Sequence, residues 1–303
     1  MAISAKDVKE LREISGAGIM DCKKALQEVD GDLDEALALL QKQGAAAAEK
    51  KASRTAAEGL VETWLSDDGT EAVLVEVNCE TDFVSQNDQF GAFVDKIATT
   101  VGVSRPSTLE ELQDVKVVGG EKSVDDYTSE QVTVIGENIQ IRRFVRYEVD
   151  HGVVGDYVHA GGQIGVLVQV DGPEGADRDS LESLGRDVAM HIAAMNPGYL
   201  HEDDIPEEDE AAQREILKAQ AEEMDKPESV IDRIVTGRLA KWRAESVLLK
   251  QPFVKDPDQT VGELVDNVDG ASLTSFVRYE VGEGIEKEEK SLSEEVAEQL
   301  RGS

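Results

Sequence analysis

An internal repeat constrains this chain more than any other feature. Displaced by 93 positions, Gly59-Leu60-Val61-Glu62-Thr63-Trp64 falls on Gly152-Val153-Val154-Gly155-Asp156-Tyr157. Without a gap, Ala72-Val73-Leu74-Val75-Glu76-Val77-Asn78 falls on Gly165-Val166-Leu167-Val168-Gln169-Val170-Asp171. These blocks read as strands, and Asp67-Asp68-Gly69 turns the first pair into a hairpin. The helical segments that follow also correspond, Phe93-Val94-Asp95-Lys96-Ile97-Ala98 against Val188-Ala189-Met190-His191-Ile192-Ala193. A second echo is identical over six residues, Phe144-Val145-Arg146-Tyr147-Glu148-Val149 and Phe276-Val277-Arg278-Tyr279-Glu280-Val281. The chain is therefore α+β, built on two copies of one strand-rich unit. The second echo lies 132 residues away rather than 93, so about 39 residues are inserted in the second copy.

The insertion is legible. Pro206 to Met224 is acidic and helical, with Ile216, Leu217, Ala221 and Met224 near one stripe. Asp225-Lys226-Pro227 turns the chain, and Val230, Ile231, Ile234, Val235, Leu239 and Trp242 mark a second stripe. Two antiparallel helices leaving a sheet form a coiled-coil-like arm whose seam suits a partner or a second copy; folding back on the core is the alternative. In the first copy, Phe90 to Val101 predicts a helix, while Val132 to Ile135 and Ile139 to Val149 predict strands. Phe144 and Phe276 are expected in the core.

Ahead of the repeat the period is helical. Val8, Leu11 and Ile14 share one face, Ser15-Gly16-Ala17-Gly18 breaks it, and Ile19 to Val29 resumes it. Asp30-Gly31-Asp32 is a turn, Asp32 a helix N-cap, and Leu33, Ala36, Leu37 and Leu40 a third apolar face stopped by Gly44. Residues 45–58 carry no large apolar side chain and read as a linker of helical propensity.

Charge separates these parts. The net charge is −33, yet residues 1–58 hold nine basic and eleven acidic side chains, a net of only −2. Such acidity repels phosphate, and thirteen aromatic residues are too few for a base-stacking platform, so direct nucleic-acid binding is not expected. No apolar run approaches the ~20 residues of a membrane span, and the first residues lack a secretory signal's apolar stretch. Cys22 and Cys79 are expected as reduced thiols in a cytoplasmic protein.

Motifs for chemistry are missing. There is no Walker lysine loop, no G-x-G-x-x-G and no C-x-x-C, and the four histidines (151, 159, 191, 201) lack metal-ligand spacing. Asp30, Asp32 and Asp34 mimic the start of a calcium loop, but Glu35 and Gln41 stand where glycine and glutamate are needed. His201-Glu202-Asp203-Asp204 reads as a solvated acidic loop. No enzyme activity, cofactor or metal is expected. The segment Asn78-Cys79-Glu80-Thr81-Asp82-Phe83-Val84-Ser85 follows a buried strand and precedes a helix. Its Phe83 admits two readings, a core residue or an aromatic anchor in a partner's pocket.

At these residues a family resemblance becomes specific. Val8-Lys9-Glu10-Leu11-Arg12 with Gly16-Ala17-Gly18-Ile19-Met20-Asp21-Cys22-Lys23-Lys24-Ala25-Leu26 resembles the N-terminal signature of bacterial elongation factor Ts. Glu76-Val77-Asn78-Cys79-Glu80-Thr81-Asp82-Phe83-Val84 resembles that family's second signature, and Ile164–Val168, Gln251–Val254 and Val281–Lys287 also fit. Ser15 and Ile19 are mild departures from the usual Thr and Met.

The resemblance implies a guanine-nucleotide exchange factor for elongation factor Tu. It implies a three-helix module like ubiquitin-associated domains over 1–44 and a linker over 45–58. Core subdomains follow over 59–140 and over 141–200 with 251–281. A helical-hairpin dimerisation arm occupies 201–250, and a C-terminal helical module 282–303. It implies that Thr81, Asp82, Phe83 and Val84 disturb the magnesium and nucleotide site of the partner GTPase. It also implies partner contacts by His159 and, in the N-terminal module, by Val8, Arg12, Met20, Lys23 and Lys24. By pattern alone His159 is equally a solvated hairpin tip. Three other readings remain in view: a non-catalytic adaptor working through the first module, an acidic chaperone-like binder, and an enzyme using Cys79.

Overall fold

The repeat is carried by two sheets of three strands each, and the chain divides into two units. One unit takes residues up to Glu62, Val75–Phe144 and residues from Glu280; the other takes Thr63–Leu74 and Val145–Tyr279. The structure, a computed structural model, describes residues 3–224 and 226–286. Asp225 of the expected turn, and residues 287–303 of the expected C-terminal module, lie outside the described residues.

The first unit opens with α1 (Ala5–Ser15), α2 (Ile19–Glu28) and α3 (Leu33–Lys51). A capping box between Ser4 and Asp7 starts α1, and Gly16 at φ 69° ends it. Asp32 caps α3 by accepting from the Glu35 amide at 2.9 Å. Leu11, Cys22, Ala25, Leu26, Ala36 and Leu40 form their shared core.

The hairpin strands β1 (Glu58–Leu65) and β2 (Glu71–Cys79) come next. Every residue of β2 after Glu71 is buried, as befits the middle strand of the order β1-β2-β3. Then come α4 (Asp82–Ser85), α5 (Asp88–Ser104), α6 (Leu109–Asp114), α7 (Val124–Ile135) and β3 (Gln140–Glu148). Phe90, Phe93, Val94, Ile97 and Val101 of α5 are fully buried.

Two expectations are corrected here. Val132–Ile135 is not a strand but the last turn of α7. Ser123 caps that helix by accepting from the Asp126 amide, and Val124 and Val132 bury the same face. A short β-branched run cannot outvote a capped helix with an apolar stripe. Gly44 does not stop α3 either. A Cβ there would meet the Thr133 hydroxyl of α7 at 3.0 Å, so the glycine serves a close approach between helices.

The second unit contains β4 (Gly152–His159), β5 (Ile164–Asp171), α8 (Arg178–Met195), α9 (Glu207–Glu222) and α10 (Glu228–Ser246). It continues with β6 (Pro252–Phe253), β7 (Asp256–Thr260), α11 (Val261–Asp266) and β8 (Ser272–Glu280). Strands β4 and β5 pair antiparallel from Gly152 opposite Asp171 to His159 opposite Ile164. The sheet order is β4-β5-β8, which repeats β1-β2-β3 with β8 standing where β3 stands.

Helix α8 meets β4 backbone to backbone. A Cβ on Gly155 would fall 2.4 Å from Gly185. Val166, Val168, Val170, Leu184, Val188 and Ile192 lead the core, with Phe276 packed partly buried against it; Phe144 is half-buried. The inserted helices α9 and α10 share a seam of Leu217, Ala221, Ile231, Val235 and Leu239. Ile216, Met224 and Val230, expected on the stripes, are exposed. Among the described residues, no helix is long and apolar enough to cross a membrane.

Candidate functional site

The segment Glu80–Ser85 forms a braced turn at the end of the central strand. Cys79 is the last residue of β2, and its thiol donates to the Thr81 carbonyl at 3.2 Å. Thr81 then caps the single-turn helix α4, its hydroxyl accepting from the Val84 amide at 3.4 Å. Ser85, buried, returns its hydroxyl to the Asp82 carbonyl at 2.9 Å. Asn87 restarts the chain as the cap of α5.

The brace comes from the loop between α7 and β3. One carboxylate oxygen of Glu137 accepts from the amides of Glu80 at 3.1 Å and Thr81 at 3.0 Å. The other accepts from the Thr81 hydroxyl at 2.6 Å. Glu80 reciprocates by accepting from the Asn138 amide at 2.6 Å, and Asn138 donates its side-chain amide to the Arg54 carbonyl at 2.8 Å. Two loops thus hold each other by exchanged carboxylate–amide bonds, which are stronger than neutral ones.

Phe83 faces outward. Its side chain is 83% exposed, whereas Phe90 and Phe93 on the next helix are fully buried. The core reading of Phe83 is therefore excluded. Asp82 beside it is exposed, and Thr81 and Val84 are half-buried. A large apolar ring thus stands in water on a hydrogen-bonded turn.

Cys79 is unsuited to catalysis. Burial, and then the nearby Glu137 carboxylate, push its thiol up to about 12, so it holds its proton at neutral pH. Among the described residues, no three His, Cys, Asp or Glu side chains are grouped to hold a metal ion.

The other residues expected to meet a partner lie outside this turn. His159 ends β4 and is exposed; its Nδ1 lies 3.0 Å from the Tyr157 hydroxyl, and the two rings stack. Ala160, Gly161 and Gly162, all at positive φ, then turn the chain into β5. In the N-terminal helices, Arg12, Met20, Lys23 and Lys24 are exposed, and Val8 packs half-buried against the helical core. Met20 is 60% exposed, and Ile14 and Ile19 are also exposed, at 54% and 55%. Sequence reasoning placed Ile14 and Ile19 on helical stripes and did not single them out. It also missed Glu137 and Asn138, which carry no local motif.

Fold and site together define a two-unit α+β protein that presents a braced, outward-facing aromatic. The family model described as elongation factor TS matches residues 80–283. The chain is 50% identical to "Elongation factor Ts" of Halorhodospira halophila over 303 residues, the full length of both. It is 50% identical to that of Alkalilimnicola ehrlichii and 48% identical to that of Methylococcus capsulatus, again over both full lengths. The chain belongs to the elongation factor Ts family, and its function is that of a translation elongation factor Ts.

Proposed function

We propose that this chain binds elongation factor Tu in its GDP state and promotes GDP release through the Thr81–Val84 turn. The observation that carries the reading is the exposed Phe83 ring on a turn held by the Glu137 carboxylate. Phe83 acts as an apolar wedge between helices of the partner, and Asp82 faces the region of the partner's magnesium shell. Thr81 and Val84 set and flank the wedge.

The energetics are those of linkage. A factor that binds the nucleotide-free partner more tightly than the GDP-bound one must weaken GDP binding by the same factor. Disturbing the magnesium leaves phosphate charge uncompensated, and GDP leaves without any covalent step. The emptied site then takes GTP.

The first three helices serve as a module like ubiquitin-associated domains, docking on the GTPase through Val8, Arg12, Met20, Lys23 and Lys24. Exposed Ile14, Ile19 and Met20 supply apolar area for that contact, and the near-neutral charge of the segment suits it. His159 adds a contact from the second unit. Helices α9 and α10 form the arm, and exposed Ile216, Met224 and Val230 suit a second copy of the chain. The domain boundaries follow the family layout given above, and the site of action is the cytoplasm.

The test is release of a fluorescent GDP analogue from elongation factor Tu of the same organism. The wild-type chain is expected to accelerate release. Phe83→Ala is expected to lose at least about tenfold of that acceleration, with an unchanged melting temperature because the ring is exposed. No acceleration by folded wild-type protein would overturn the reading.

A further inference from the structure

We infer that Glu137 is a positioning residue for nucleotide exchange, setting the direction of Phe83 through Thr81. The inference rests on the exchange reading of the Thr81–Val84 turn. Helix α4 is only four residues long, and an isolated single turn does not hold itself. Phe83 is exposed, so core packing does not orient it. Strand β2 ends at Cys79, and the next two amides, of Glu80 and Thr81, both donate to one Glu137 oxygen.

The second Glu137 oxygen takes the Thr81 hydroxyl at 2.6 Å. That same hydroxyl caps α4 through the Val84 amide. Three bonds to one carboxylate therefore fix the residue from which the helix bearing Phe83 starts. The carboxylate is itself anchored, because Asn138, the next residue, is held by Glu80 and by the Arg54 carbonyl. Without Glu137 the turn samples other directions. The wedge is then misaligned in most complexes, although the surfaces that dock the two proteins are intact.

This predicts a split between maximal rate and half-saturation. In stopped-flow release of the fluorescent GDP analogue, Glu137→Ala is expected to lower the maximal rate on the order of tenfold. The half-saturating concentration should change little. Glu137→Gln should stay within about threefold of wild type. A glutamine can turn its oxygen to the two amides and donate its NH₂ to the Thr81 hydroxyl oxygen. In a Phe83→Ala background, Glu137→Ala should have no further effect on release. Hydrogen exchange at the Glu80 and Thr81 amides should still quicken.

A wild-type maximal rate in Glu137→Ala, with quickened amide exchange, would overturn the inference and leave the exchange reading standing. An undiminished effect of Glu137→Ala in the Phe83→Ala background would overturn it too. Absence of acceleration by wild type would sink both. If Glu137→Ala does not fold at the assay temperature, Thr81→Val removes the 2.6 Å bond to Glu137, together with the weaker cap from the Val84 amide, at similar volume. That variant should lower the maximal rate severalfold, and a wild-type rate would again overturn the inference.

Discussion

Gly282 donates its backbone amide to the carboxylate of Glu76, 206 residues earlier in the chain, at 2.8 Å. Glu76 is fully buried on the central strand β2 and also accepts from Arg142 at 2.9 Å, Arg143 at 2.6 Å and the Asn78 amide at 3.2 Å. Gly282 stands at φ 71°, and a Cβ there would lie 2.2 Å from the Ala57 carbonyl oxygen. One buried acid thus fastens the turn after β8 to the strand that leads to Phe83.

Removing that acid takes one acceptor from two guanidiniums, the Gly282 amide and the Asn78 side-chain amide, while Arg142 and Arg143 keep bonds to the Glu283 and Glu280 carbonyls. Glu76→Ala is expected to cost about 2–3 kcal/mol of stability, read from the urea midpoint. Burial by itself raises the Glu76 pKa, but the Gly282 amide and the two arginines outweigh it and hold the group below the ordinary 4.5. The stabilisation is fully present above about pH 4.5 and is lost as pH falls through the depressed folded value. Glu76→Gln should flatten that acid limb of the stability curve.

His191 gives a second pH dependence, in the other unit. Its Nδ1 accepts from the Val254 amide at 3.2 Å, so Nε2 carries the proton and donates to Gln251 at 2.8 Å. Burial lowers its pKa, against a smaller opposing effect of the Gln251 bond. The folded state therefore prefers neutral His191. Stability should be complete above the ordinary value of 6.5 and fall as pH drops below it, by at most about 1.4 kcal/mol per pH unit. Nitrogen NMR of the imidazole should show the Nε2–H tautomer, with a titration displaced below the ordinary histidine value.

Gly59 and Gly152 express the repeat at atomic scale. They stand at φ 146° and 138°, and a Cβ on either would lie 2.1 Å from a carbonyl oxygen, of Val77 and Val170 respectively. Gly59→Ala and Gly152→Ala are each expected to cost about 3 kcal/mol or more. Gly175→Ala, at φ 84° with nothing within 4 Å, should cost only about 1 kcal/mol. Denaturant titration of the three variants checks the contrast.

Much of this was legible from residues alone, for a physical reason. Strand and helix periods, N-caps such as Asp32 and the 93-residue shift are local or self-comparing features. They placed the paired strands of the repeat and helical segments at the N-terminus and after residue 206. They failed where a local pattern is ambiguous and packing decides, as at Val132–Ile135 and Gly44. They also could not say whether Phe83 is buried, because any apolar residue after a buried strand fits a core.

By itself, then, the sequence determined an α+β repeat with an insertion and singled out Asn78–Ser85, within which the family resemblance marked Thr81–Val84. Only the tertiary structure decided that Phe83 faces water, and that Glu137 holds its turn from 56 residues away. Periodicity is written in neighbouring residues. A carboxylate that finds two amides and a hydroxyl across a loop is a product of the whole fold, and leaves no mark in the spacing of either segment.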